Sequence, residues 1–311
     1  MEISTVLIYL KDLIATVLTL LMMISPAFGS TAEPYTAERP DELITGFAVV
    51  SDIHVETNNP ESYNNLKNVL EGIKAGSDID TVIYTGDNVM NGQLLENLFF
   101  YSAVRAVKPA ENNFVVQGNH DYGNGEGDYE QLRQNYLYNN ALYLGNTLSK
   151  DYYYRVVDGC YFICLASEDI TSEDFMMSEA QYKWLEDVLK KAEEENAPVF
   201  VFAHFPLRYL DNDGTEYSRI DKTQLGSLLT EYGVELYVHG HIHNDIDGMD
   251  NFYESYGVEC VNLCRVTETT DYEPGDGIVV EVYEDELRVR TRDFIKGEWI
   301  EELSFTHQIT K

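Results

Sequence analysis

The sequence predicts an α/β protein, and three observations carry that reading. Short continuous apolar runs recur through the chain, longer helix-like stretches lie between them, and the C-terminal part changes to a period of two. Taken in order, the apolar runs are "GFAVVS" at 46, "TVIYTG" at 81, "FVVQG" at 114, "YFICLA" at 161, "VFVFAH" at 199 and "ELYVHG" at 235. Each is short and apolar without alternation, the pattern of a strand buried on both faces. The helix-like stretches are "PESYNNLKNVLEGIKAG", "QLLENLFFYSAVRAV", "SEAQYKWLEDVLKKAEEENA" and "DKTQLGSLLTEYG". Strand alternating with helix implies a largely parallel sheet. "DGIVVEVYEDELRVRTRDF" alternates instead like a hairpin around Glu284 and Asp285. It is expected to form a second, partly antiparallel sheet packed on the first.

Composition sets limits on function. With 311 residues and 44% hydrophobic content the chain can fill a sizeable core. Its 54 acidic residues against 21 basic ones give a formal net charge of -33, a surface that repels DNA and anionic membranes. No nucleic-acid partner is expected, and a nuclease is disfavoured.

Residues 1–29 read as an export signal. After Lys11 and Asp12 comes the apolar stretch "LIATVLTLLMMI", then small residues at Ala27 and Gly29 that suit a signal peptidase. Cleavage would leave an extracytoplasmic protein, secreted, periplasmic or at the cell surface, with no stable membrane association. The alternative is an uncleaved anchor from Val6 to Ile24, which would bury Lys11 and Asp12 at membrane depth. Residues 30–45, polar with two prolines, read as a linker, and 46–311 as one domain.

Cys160, Cys164, Cys260 and Cys264 come in pairs four apart on strand-like segments. The two sulfurs of a pair lie about 13 Å apart at strand rise, beyond disulfide reach. A bridge would therefore join the two segments; the other readings are buried free thiols and, third, a structural zinc.

In open α/β sheets ligands bind beyond the carboxyl ends of the strands. There the sequence sets Asp52 and His54, then Gly86 and Asp87, then Gly118, Asn119, His120 and Asp121, then His204, then Gly240, His241 and His243. Of seven histidines, five stand at these ends. Singly, each has an ordinary reading as an N-cap, a turn or a packed histidine. Together they supply the Asp, Asn and His mixture that suits borderline divalent metals.

This series, Asp-x-His, Gly-Asp, Gly-Asn-His-Asp, His and Gly-His-x-His, resembles the calcineurin-like metallophosphoesterases from about residue 46 to 250. The compact form looks closest to small bacterial phosphoesterases, including those similar to cyclic-nucleotide phosphodiesterases. The resemblance implies a four-layer αββα sandwich of two mixed sheets with the site at the strand ends. It implies one metal on Asp52, His54, Asp87 and His243 and a second on Asp87, Asn119, His204 and His241, with Asp87 bridging. His120 would be the catalytic histidine, oriented by Asp121. The implied activity is hydrolysis of a small phosphate mono- or diester through a metal-bridging hydroxide.

Elementary chemistry agrees with those roles. Two divalent cations can clamp a phosphoryl group and activate water near neutral pH. Two carboxylates and a hydroxide cancel three of their four charges, leaving about one to attract the ester, because His and Asn ligands are neutral. Gly86, Gly118 and Gly240 suit tight turns and close backbone approach. The ligand set accepts manganese, iron, zinc or nickel. Met90 stands where purple acid phosphatases are expected to carry a ligand tyrosine, so iron(III)-tyrosinate chemistry is not expected. His239 and His307 are expected to be structural or without a role. Arg208 is the candidate phosphate-binding residue, and the tyrosine-rich stretch after Asp121 is expected to be ordinary loop packing. The reading from a different class is a binding module that keeps the fold without catalysis; such a module would lack ligands or the catalytic His, and none is missing.

Overall fold

The computed structural model describes residues 13, 17, 33–125, 127–168, 176–207, 223–243, 251–266 and 275–309. Its strands are β1 (Thr45–Val50), β2 (Thr81–Thr85), β3 (Asn112–Val116), β4 (Tyr153–Val157), β5 (Cys160–Cys164) and β6 (Val199–Phe202). They continue as β7 (Leu236–His239), β8 (Phe252–Ser255), β9 (Val258–Asn262), β10 (Asp276–Val282), β11 (Glu286–Asp293) and β12 (Glu298–Gln308). The helices are α1 (Pro60–Lys74), α2 (Leu94–Val107), α3 (Tyr129–Asn139), α4 (Glu179–Glu194) and α5 (Thr223–Glu231).

Local chemistry starts these helices where it should. Asn59 caps α1, its side chain accepting from the Glu61 amide at 3.1 Å, and Pro60 follows at the first helical position, where its missing N–H costs nothing. Gln93 and Glu96 form a reciprocal capping box on α2, and Ser178 accepts from the Gln181 amide on α4. The helix α3 lies within the stretch expected to be loop, with Asp128 accepting from the Gln131 amide at its start.

The apolar runs divide between two sheets of six strands each, ordered β12-β11-β10-β1-β2-β3 and β4-β5-β6-β7-β9-β8. This corrects the expectation for the C-terminal hairpin, which does not build the second sheet. Instead β10 pairs antiparallel with β1, from Thr45 opposite Val282 to Val49 opposite Ile278, and extends the first sheet. Strands β1, β2 and β3 are parallel, as are β5, β6, β7 and β9. A strand buried on both faces reads the same in either sheet, so periodicity could not assign it.

Alternation along β1 shows how the layers stack. Phe47 and Val49 face the second sheet, among Phe162, Phe200 and Phe202, with the Phe47 ring 5.1 Å from both Phe162 and Phe200. Ala48 and Val50 face the other way, onto Leu66 and Val69 of α1 and Leu98 and Phe100 of α2. On the far side Ile163 and Val201 pack against Leu185 and Leu189 of α4 and Leu225 and Leu229 of α5. The result is helix, sheet, sheet, helix. Truncating a fully buried ring such as Phe47 to alanine should cost about 3–5 kcal/mol.

Residues 33–44, expected to be a linker, lie against the first sheet. Arg292 donates to the Glu33 carbonyl at 3.1 Å and sits 4.1 Å over the Tyr35 ring, which meets Trp299 edge-on at 5.3 Å. Glu38 pairs with Arg288. The expected signal segment lies outside the described residues but for Leu13 and Val17, and among the described residues no helix is long and apolar enough to cross a membrane. All four cysteines are buried and free, so the bridge and zinc readings give way to thiols packed as small hydrophobes.

Candidate metal centre

Parallel pairing brings the strand ends to one edge, and the loops beyond them converge. Asp52 and His54 follow β1, Asp87 follows β2, Asn119 to Asp121 follow β3, His204 follows β6, and His241 and His243 follow β7. One donor atom from each of Asp52, His54, Asp87 and His243 lies within 4.8 Å of the others, and Asp87 also belongs to a second group with His204 and His241. In the first group His243 Nε2 is 2.9 Å from Asp52 Oδ1 and 3.2 Å from His54 Nε2. In the second, His204 Nε2 is 3.2 Å from Asp87 Oδ2, and His241 Nδ1 is 3.3 Å from His204 Nε2. Asn119 Oδ1 joins it, 3.1 Å from His241 Nδ1. Ligands bonded to one metal at roughly 2.0–2.2 Å stand about 3–3.5 Å apart, so these spacings fit shared cations.

The protonation pattern makes the same demand. His204 donates Nδ1–H to the Thr85 carbonyl at 3.0 Å, which leaves the Nε2 lone pair facing a buried carboxylate. Lone pair against carboxylate is repulsive unless a proton or a metal cation lies between them. A proton is one solution: burial opposes the charge on His204, but the carboxylates of Asp87 and Asp52 outweigh it and push the group up to about 9. Burial likewise disfavours the Asp52 and Asp87 carboxylates, yet the surrounding imidazoles hold both below the usual range. His241, pressed by burial and by the His204 charge, falls to about 4 and stays a neutral donor. Divalent cations would satisfy the same carboxylates and imidazoles without protons, so the residues fit a dinuclear site.

The backbone is bent to serve this convergence. Asp52, His54, Asp87, His241 and His243 all hold left-handed φ values between 48° and 74°. Such conformations cost about 1–3 kcal/mol each for a non-glycine residue and concentrate at functional sites. Close approach explains two neighbouring glycines. A Cβ on Gly118 would lie 2.2 Å from Asp87 Oδ1, and one on Gly240 would lie 2.1 Å from Asp52 Oδ2.

His120 stands beside the first group, its ring edge-on to His54 at 4.7 Å, and its amide donates to Asp87 Oδ1 at 2.9 Å. Asp121 does not orient it, contrary to expectation. The Asp121 carboxylate instead accepts from the Gly118 amide (2.8 Å), the Val89 amide (3.1 Å) and Asn88 Nδ2 (3.1 Å), tying the β3 loop to the β2 loop. Burial first, and then the Asp87 charge, raise Asp121 to about 7. The partner of His120 is a carbonyl: Nδ1 lies 2.7 Å from Met90 O. Buried Glu96 fixes that loop by accepting from the Asn91 amide and side chain, both at 2.9 Å, and from the Gln93 amide.

Sequence reasoning passed over Glu96, Arg265 and the carbonyl of Met90. Arg265 follows β9, and the next amide, Val266, donates to the Ser51 carbonyl at 3.3 Å, beside Asp52. No motif signals it. Arg208 lies outside the described residues. His239 is buried and bonded to Tyr253 OH at 2.7 Å, a structural place, and His307 pairs with Glu235 at 3.3 Å. Tyr122 and Tyr129 both donate to Asp151, packing the stretch after the β3 loop.

Comparison with known proteins agrees with this architecture. The calcineurin-like phosphoesterase family profile matches residues 46–245. A curated plant protein from Arabidopsis thaliana, named as a probable inactive purple acid phosphatase, is 26% identical over 221 residues, 65% of this chain and 34% of its own length. The chain thus spans about a third of that relative. Among solved structures, a dimetal phosphatase from Danio rerio is similar at TM-score 0.60 and 17% identity, covering 86% of this chain and 100% of its own. A purple acid phosphatase from yellow lupin (Lupinus luteus) seeds is similar at TM-score 0.57 and 17% identity, covering 84% of this chain and 53% of its own. At these identities the structures share the fold, and with the profile spanning residues 46–245, including Asp52 and His243, the chain belongs to the calcineurin-like phosphoesterase family.

Proposed function

We propose that the protein is an exported, dinuclear metal-dependent hydrolase of small phosphate esters. The observation that carries this reading is the pair of donor groups sharing Asp87. Asp52, His54, Asp87 and His243 would hold one ion, and Asp87, Asn119, His204 and His241 the other. When bound, two divalent ions supply Lewis-acid polarisation of the phosphoryl group and water activation near neutral pH. The chain's own residues do the rest. Thr85 fixes the His204 tautomer, the Asp121 carboxylate locks two ligand loops together, and the Met90 carbonyl holds His120 Nδ1 so that Nε2 is left to exchange a proton with the departing alcohol. The acidic surface supports a small ester over a nucleic acid, and the apolar segment after Asp12 supports export.

The relative's name as inactive raises a second reading, a silent binding module. Complete donor groups and an ordered His120 weigh for catalysis. Nitrophenyl mono- and diesters assayed with added manganese, against a chelated control, decide the matter. Metal-dependent turnover is expected; binding of two metals with no turnover of any ester would leave the binding module standing.

A further inference from the structure

Met90 and Asn91 share one peptide unit, and both of its polar ends are engaged. The Met90 carbonyl oxygen lies 2.7 Å from His120 Nδ1, and the Asn91 amide donates to Glu96 Oε2 at 2.9 Å. In a trans peptide the C=O and N–H point in opposite directions across one plane, so this unit bridges the imidazole to the carboxylate. The donors run one way along it: the ring donates to the carbonyl, and the peptide donates to Glu96. Glu96 is fully buried; its Oε2 also accepts from the Gln93 amide at 3.2 Å and its Oε1 from Asn91 Nδ2 at 2.9 Å. The neighbours of the peptide are tied down on both sides. The Met90 amide donates to the Val55 carbonyl at 3.0 Å, and a Cβ on Gly92 would lie 2.7 Å from the Asp121 carbonyl oxygen.

We propose that Glu96 is a positioning residue for His120, acting through the Met90–Asn91 peptide. The proposal rests on the phosphoester reading above, in which His120 Nε2 serves the departing alcohol, and it names the group that stands behind the Met90 carbonyl. A carboxylate polarises the amide it accepts from, which puts more negative charge on the carbonyl oxygen of the same unit. That oxygen then holds the Nδ1 proton more strongly and keeps Nε2 as the nitrogen for proton transfer. Capping of α2 does not need a buried charge, because a neutral oxygen would satisfy the Gln93 amide. A role confined to that cap would show in stability and leave His120 untouched.

The test uses the full chain as wild type, Glu96→Gln, Glu96→Asp, His120→Asn and the double variant of Glu96→Gln with His120→Asn. Turnover of a nitrophenyl and an alkyl phosphate ester is measured with manganese, at a temperature below the melting of every variant. Glu96→Gln should lower kcat about tenfold, the difference between a charge-assisted hydrogen bond and a neutral one, with KM and metal content unchanged. The loss should be larger on the alkyl ester. Added to His120→Asn, the same substitution should cost less than about twofold, because the two residues act as one unit. Glu96→Asp, which keeps the charge and shortens its reach, should fall between. Independently of turnover, nuclear magnetic resonance of the zinc-loaded chain with isotope-labelled histidine should show a His120 Nδ1–H signal, identified by its loss in His120→Asn. That signal should move upfield in Glu96→Gln. Unchanged turnover, the same loss with and without His120, or an unmoved Nδ1–H signal overturns the proposal. If wild type binds both ions and hydrolyses neither ester, the phosphoesterase reading fails, and the Nδ1–H signal alone still decides whether Glu96 acts on His120.

Discussion

His120 Nδ1 lies 2.7 Å from the carbonyl oxygen of Met90, and that contact decides which ring nitrogen is left for chemistry. A carbonyl can only accept, so Nδ1 must carry the proton, and Nε2 is the nitrogen that the proposed proton transfer would use.

The first prediction follows from this. His120→Asn should keep both metals and the melting temperature while lowering turnover by roughly 10² to 10⁴, the usual worth of a general acid. The loss should be smaller for a nitrophenyl ester, whose alcohol needs little protonation, than for an alkyl ester. Equal slowing of both would reassign His120 to holding the phosphate.

Asp87 serves two donor groups, so its removal should act on both. Asp87→Asn should reduce bound metal from two ions per chain toward none, whereas His54→Ala should preferentially weaken one. Elemental analysis of the purified variants is the check, and two metals in the Asp87 variant would remove the bridge.

Burial pushes the Cys164 and Cys260 thiols up to about 12. At pH 8 their thiolate fraction falls about three orders of magnitude below that of a free cysteine near 8.5. Alkylation of the native protein should be correspondingly slow and become rapid on unfolding. The unfolded chain loses these protons first, so the stability they contribute is present below about pH 8.5 and is lost as pH rises toward 12. Rapid labelling of native protein at pH 8 would contradict this burial.

Export makes its own prediction. N-terminal sequencing of protein from the native host should begin near Ser30. An intact Met1 on membrane-bound protein would return the anchor reading.

The candidate ligands were legible because each follows an apolar run that ends on a glycine or on a polar residue of ligand type. Asp87 or His204 alone would read as a turn or a packed histidine; the recurrence of the same kind of strand end made them legible together. The partition into two sheets was not legible, since Val49 and Val201 sit in equally apolar runs and only pairing across the chain, such as Thr45 with Val282, separates them. Met90 contributes a backbone carbonyl, which every residue has, so no side-chain pattern could mark it. Asp121 misled for a related reason. Its adjacency to His120 suggested a pair, but neighbouring side chains point apart, and its oxygens turn to the amides of Gly118 and Val89.

The left-handed backbone at Asp52, His54, Asp87, His241 and His243 changes how substitutions there must be read. Asparagine and aspartate tolerate that conformation, alanine less so, and β-branched residues least. An alanine at Asp52 therefore alters charge and main-chain strain at once, whereas asparagine removes the charge and leaves the turn intact. Comparing the two at each position separates what the ligand does from what the loop costs, and glycine, free of that cost, should give the more stable protein even as it abolishes binding.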